Sequence, residues 1–121
     1  MFVQDIKNKK YLCLETYRKN NLAVPTPVWF VIHDDKIYVI TREKTGKIKR
    51  LRNNKKVRIA LCNFKGKVTG DWFEGEAKFS SPEESTIALN LRSEKYGIME
   101  KIARFASRNK GDFVVFSIKL N

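Results

Sequence analysis

Through the first eighty residues the apolar positions fall in short runs of β-branched and aromatic residues, and only beyond them does a long helical spacing appear. KYLCLETY (10–17), VPTPVWFVIH (24–33) and KIYVITRE (36–43) have strand composition and are bounded by polar turns. RKNNLA (18–23) has turn composition, and Asp34-Asp35 predicts a tight hairpin link. Pro25 and Pro27 carry no N–H, so the start of the second run belongs at a sheet edge or a bulge. VRIALCNF (57–64), DWFEGEAKF (71–79) and DFVVFSIKL (112–120) add three more strands, with KGKVTG (65–70) as a turn.

Three segments break this pattern. Residues 2–8 (FVQDIKN) fit a short lead-in helix. In TGKIKRLRNNK (45–55) the apolar residues Ile48 and Leu51 stand three apart with no alternation around them, which predicts a short helix. Ser81-Pro82-Glu83-Glu84 supplies a helix cap, a proline at the first helical position and a glutamate three after the cap. Helix is expected from Pro82 to about Ser107, interrupted near Tyr96-Gly97, with Ile98, Ile102, Phe105 and Ala106 on one stripe and Gly111 as the stop. Six strands with helices inserted after the third and fifth predict a mainly β protein. Its expected fold is a small closed or split Greek-key barrel whose interior admits only side chains, so ligands bind at its rim or between subunits.

The 121 residues show no repeat, linker or low-complexity tract, and the chain is read as a single domain, 1–121. A formal charge of +12 on a chain that is 42% hydrophobic excludes disorder and directs attention to an anionic partner. Cys13 and Cys62 sit in apolar runs without paired spacing, so buried free thiols are expected. The one histidine, His33, ends a strand beside two aspartates and reads as a surface residue; no metal site of ordinary His and Cys composition can be built. Glu74 and Glu76 share one strand face as outward-facing charges, and no catalytic residue stands out. The longest strongly apolar run, Val28–Ile32, is far short of the ~20 residues that span a bilayer, and MFVQDIKNKK has no long apolar core. A soluble cytoplasmic protein with no membrane partner is expected.

The charge is not evenly spread. From Lys44 to Arg58 there are eight basic residues and no acidic one, so this segment carries eight of the twelve net charges. At ~100° per residue Lys47, Arg50 and Asn54 fall on one arc bordered by Leu51 and Ile48, while Lys49, Arg52 and Lys56 point away. If Ile48 and Leu51 are buried, Lys47 and Arg50 are fixed at the edge of the packed surface, where an ammonium beside a guanidinium fork suits phosphate oxygens. Thr45-Gly46 in front adds a hydroxyl and the amides of a helix N-terminus. The competing reading is a solvated basic face. No Walker loop and no GxGxxG is present.

Taken together, PTPVWF (25–30), Thr41, TGKIKRLRNN (45–54), VRIALC (57–62) and GDWFEGEA (70–77) resemble the flavin-binding split-barrel family that includes pyridoxamine 5′-phosphate oxidase. The small branch that uses deazaflavin F420 is the nearest in pattern. The resemblance covers roughly residues 10–79. It implies a homodimer with flavin-type sites in the groove between subunits. Pro27, Val28 and Trp29 would run beside the ring, and Thr41, Thr45, Gly46, Lys47 and Arg50 would hold the phosphate and ribityl end. Cys62 and Asn63 would end a strand near the ring, while Trp72, with Phe73, would reach the partner's site.

The implied activity is hydride transfer between F420 or FMN and a small organic substrate. Little sequence follows the sixth strand, so vitamin B6 oxidation is not expected. Two alternatives stay open. One is a basic nucleic-acid-binding barrel, although no aromatic residue interrupts Lys44–Arg58 to stack a base. The other is a cofactor carrier that catalyses nothing.

Overall fold

The computed structural model describes residues 3–121. Seven strands form one antiparallel sheet: β1 (Leu12–Tyr17), β2 (Ala23–Val28), β3 (Val31–His33), β4 (Lys36–Arg42), β5 (Lys56–Leu61), β6 (Phe73–Phe79) and β7 (Phe113–Leu120). Three helices, α1 (Gly46–Asn53), α2 (Pro82–Tyr96) and α3 (Ile98–Ala106), follow β4 and β6. The strand order is β2-β1-β5-β6-β7-β4-β3. The two edge strands, β2 and β3, are therefore consecutive in the chain and separated only by Trp29 and Phe30. A sheet whose opposite edges lie two residues apart has to curl until they meet, which makes it a split barrel.

The expected fold class holds, with one correction: the single strand expected over 24–33 is two, and the count is seven rather than six. Pro25 and Pro27 face Glu15 and Cys13 across the β1–β2 ladder, so β2 can use only one neighbour and forms an edge. Val31–His33 then pairs with β4 on the far side of the sheet. The Asp34-Asp35 link has positive φ at both residues (49° and 59°), as a two-residue hairpin turn of the primed type requires. The lead-in helix is a 3-10 turn over Val3–Ile6, and residue 2 lies outside the described residues.

Strand alternation sorts the core into two layers. Leu12, Leu14, Ile37, Val39, Val57, Ile59, Phe116 and Ile118 point into the barrel with Phe30. Ile48 and Leu51 of α1, both fully buried, plug it, as their spacing predicts. The residues between them, Tyr38, Ile40 and Val115, point outward and are covered by Ala88 and Tyr96 of α2. Ser81 caps α2 through the predicted box, its hydroxyl accepting from Glu84 N–H at 3.2 Å, and Gly97 (φ 55°) breaks the helix where expected. The stripe on α3 is the exception: Ile98, Ile102 and Phe105 are all more than 60% exposed, with the Arg108 guanidinium 4.0 Å from the Phe105 ring centroid.

The junction between the sheet edges is held by α2. The Tyr96 hydroxyl accepts from Phe30 N–H at 3.1 Å, with the Lys10 carbonyl at 2.7 Å and the Phe30 carbonyl at 3.0 Å as acceptors for its own proton. Lys95 Nζ donates to the same Phe30 carbonyl at 2.9 Å and lies 3.8 Å from the Phe30 ring. Tyr96 also stacks on Trp29, with ring centroids 4.2 Å apart and planes within 7°. Burial pushes the Tyr96 phenol well above its ordinary range and the Lys95 ammonium down to about 8.

Tyr96→Phe keeps the stacked ring but leaves the buried Phe30 N–H unpaired, so urea denaturation should show a loss of ~1–3 kcal/mol. Because the Lys95 pKa is about 8 in the fold against an ordinary 10.5, the charged form is disfavoured by folding. That penalty is complete below the folded value and fades as pH rises through it to the ordinary one; stability should therefore increase between about pH 8 and 10.5, and Lys95→Met should lose this increase. A Cβ on Gly75 in β6 would sit 2.6 Å from the Lys119 carbonyl of β7. Gly75→Ala should lower the denaturation midpoint, by ~1–3 kcal/mol of overpacking.

Candidate functional site

The cationic helix α1 does what its pattern predicts at one residue and less at the others. With Ile48 and Leu51 buried, Lys47 is held half-buried at the outer rim, where its ammonium makes no hydrogen bond or ion pair among the described residues. Burial lowers its pKa, with smaller contributions from the nearby charges of Arg50 and Lys110. Arg50 is partly engaged: its Nε donates to the buried Thr16 hydroxyl at 2.6 Å, and its side chain opens onto a separate groove with Tyr17, Arg18 and Lys49. Thr45 marks the helix start, but its hydroxyl donates to the Arg42 carbonyl at 2.9 Å and does not cap the helix. Gly46 lets the Arg50 guanidinium fold back over the first turn, since a Cβ there would lie 2.7 Å from Nη1.

Lys47 opens into a cavity of about 230 Å³ on the outer face of the sheet. The β2 end and the edge junction contribute Pro27, Val28 and Trp29; β4 contributes Ile40 and Thr41; α2 and α3 contribute Arg92 and Ala103. Five residues selected from sequence thus share one cavity: Pro27, Val28, Trp29, Thr41 and Lys47. The Trp29 ring is immobilised as one wall by its stack on Tyr96.

Thr45, Gly46 and Arg50 do not line this cavity, and three further selected residues lie elsewhere in the protomer. Cys62 follows β5, bridges to Val68, and is half-buried rather than fully buried; burial raises its thiol pKa, as it does that of the buried Cys13. Both thiols are free. The Asn63 side chain accepts from the amides of Lys65 and Lys67 and is committed to shaping that turn. Trp72 lies just before β6 under the Arg58 guanidinium, 4.8 Å from its ring centroid, and Arg58 is itself bonded to Glu15 at 2.7 Å. His33 is half-exposed beside Asp34, as expected.

Arg92 was not selected from sequence, where nothing separates it from a solvated helical arginine. Ala88, Arg92 and Tyr96 form the buried i, i+4, i+8 stripe of α2, and an arginine within such a stripe is anomalous. Only 7% of it is exposed, and its Nε and Nη1 are buried without partners. It lies 5.4 Å from the Trp29 ring centroid and 5.0 Å from that of Phe113. Desolvation lowers its pKa, partly opposed by the charge of Glu100. Glu100 is itself buried and bonded to Arg104 through two contacts, at 2.9 and 2.5 Å.

The cavity therefore offers an apolar wall, a threonine hydroxyl and two cations without protein partners. Among the described residues no group of three His, Cys, Asp or Glu is placed to hold a metal, and no helix is long and apolar enough to cross a membrane.

The fold has solved counterparts. A conserved hypothetical protein of Mycobacterium tuberculosis superposes with a TM-score of 0.75 at 21% identity, over 98% of this chain and 78% of that one. The heme storage protein HutZ of Vibrio cholerae gives 0.74 at 16% identity, over 98% and 87%. An FAD-binding protein of Mesorhizobium loti gives 0.63 at 12%, over 98% and 84%. No curated protein matches the chain. The family model for pyridoxamine 5′-phosphate oxidase matches residues 2–121, essentially the whole sequence. The chain, built as a split barrel and matched over nearly its full length, belongs to the pyridoxamine 5′-phosphate oxidase family.

Proposed function

We propose that this protein is an oxidoreductase that holds a flavin-type cofactor, deazaflavin F420 or FMN, against Pro27, Val28 and Trp29, and exchanges a hydride between it and a small organic substrate. The observation that carries the reading is the convergence of those three residues with Thr41 and Lys47 on one cavity. The donor set fits such a cofactor. The half-buried, unpartnered Lys47 ammonium suits a phosphate, and the fixed Trp29 wall suits a flat ring. When bound, the cofactor supplies the redox chemistry. The chain's own part is to fix the ring's position, cover one face from water and place cations near anionic groups.

A second copy of the chain completes the site in this proposal. The cavity, at about 230 Å³, is smaller than the ~300–1000 Å³ of typical ligand pockets. Cys62, Asn63 and Trp72 lie outside it and would serve the partner's site. The exposed apolar residues of α3 supply surface for association. A heme reading has less support, because no His, Cys, Met or Tyr lines the cavity to serve as an axial ligand.

The test is titration with F420, FMN and hemin, followed by spectrum and thermal midpoint. A flavin at 100 times its dissociation constant should add ~2.7 kcal/mol of stability. Lys47→Met should weaken that binding roughly ten- to hundredfold, the value of a charge-assisted hydrogen bond. Binding of hemin alone, or of none of the three, would overturn the proposal, and sedimentation showing a monomer with the flavin bound would overturn its dimeric part.

A further inference from the structure

A second cavity, of about 250 Å³, lies on the β3 side of the edge junction. Val31 and Ile32 of β3 and Leu91 of α2 form its apolar walls. Its polar lining is Glu94 and Lys95 of α2, with Lys7 and Asn8 from the segment after the 3-10 turn. None of the residues selected from sequence lies in it, and the proposed hydride transfer makes no use of it.

Lys95 lines this space half-buried, with a neutral partner. Its one hydrogen bond is to the Phe30 carbonyl at 2.9 Å, and among the described residues no carboxylate lies within ion-pair distance of it. The Phe30 ring, 3.8 Å from Nζ, covers one flank. Burial alone brings its pKa down to about 8, so at that pH about half of the amine is uncharged. An ordinary lysine, with a pKa of about 10.4, is almost wholly charged there.

An uncharged amine opening on a cavity is a nucleophile, and the cavity limits what it meets. At about 250 Å³ the space is below the ~300–1000 Å³ of typical ligand pockets, which favours a very small electrophile that needs no leaving group. Charged side chains reach it from two elements only, Glu94 from α2 and Lys7 from the segment before β1, while β3 presents apolar residues. The neighbouring Tyr96 phenol is kept protonated by burial. The Lys7 ammonium has no hydrogen bond or ion pair among the described residues, so it is available to an anion formed in this space.

We propose that Lys95 is a carbamate-forming site, whose free amine adds to dissolved carbon dioxide while Lys7 and Asn8 receive the product's charge. The Nζ lone pair forms the bond to carbon, one C=O pair moves onto oxygen, and one N–H proton passes to water, leaving –NH–COO⁻. Nothing is oxidised or reduced, and there is no leaving group. The remaining N–H keeps a donor for the Phe30 carbonyl, so the junction is retained while the side chain changes from a cation to an anion. The site does not depend on the cofactor reading.

The experiment equilibrates the protein with ¹³C-labelled carbon dioxide at fixed partial pressure over about pH 7 to 9. The carbamate carbon resonates apart from carbon dioxide and bicarbonate, and a trialkyloxonium salt traps it as an ester that peptide mass spectrometry locates. The ester should fall on Lys95 and increase as pH rises through about 8. Lys95→Arg keeps a cation and a donor but cannot titrate in this range, and it should lose the corresponding resonance. Lys7→Gln should lower occupancy about two- to fivefold, the value of an exposed ion pair. Esters confined to the α-amino group, whose ordinary pKa is also near 8, or to Lys47 would overturn the site, as would a spectrum unchanged by Lys95→Arg. Unchanged occupancy in Lys7→Gln would remove Lys7 from it. If Lys95→Arg does not fold, the located ester on the unmodified chain decides alone, whether or not the chain binds a flavin.

Discussion

The Tyr96 hydroxyl bonds to the backbone of Phe30 at the one place where the curled sheet has no ladder to hold it. Phe30 lies between the two edge strands, so its N–H and carbonyl lack strand partners while its side chain is fully buried in the barrel. A buried peptide group without a partner is costly, and α2 removes that cost by presenting a phenol and the Lys95 ammonium there. The same contact sets the cavity wall, because the Tyr96 ring fixes Trp29 by stacking. Barrel closure, the docking of α2 and the shape of the site depend on this single junction.

Placing α2 over the sheet also places Arg92. Its neighbours on the helix stripe, Ala88 and Tyr96, are covered by the outward face of β4 and β7. One side chain on that stripe is charged, and it emerges where the sheet edge, α1 and α3 leave a cavity. Arg42 ties the C-terminal end of α3 to β4 through two hydrogen bonds, and a third to the Gly111 carbonyl secures the turn into β7 on the far side of the same space. The cavity is therefore framed by rigid contacts and lined by groups left without protein partners, a division expected of a binding site.

Much of the candidate site was legible because its residues follow local rules. Lys47 could be distinguished from Lys49 and Arg52 because Ile48 and Leu51 determine which face of α1 is buried. Pro25 and Pro27 marked an edge because proline cannot donate to a ladder. The Arg50 contact was not legible, because Thr16, which engages it, is 34 residues away and is brought there by packing, whereas Thr45 makes a local bond to the carbonyl three residues before it in place of the expected cap. Arg92 was overlooked for the same reason: whether a helical arginine is solvated or buried depends on what the helix lies against.

By itself the sequence determined five of the seven strands, the capping box on α2, the break at Gly97 and the plugging of the barrel by α1. These depend on periodicity, missing donors and backbone freedom, all properties of neighbouring residues. Tertiary structure alone decided that residues 24–33 divide into opposite edges of one sheet, and that Trp29 and Arg92, 63 positions apart, face one cavity. It also left the α3 stripe of Ile98, Ile102 and Phe105 uncovered, which periodicity cannot foresee. Periodicity shows which residues share a face; only the path of the whole chain determines what that face meets.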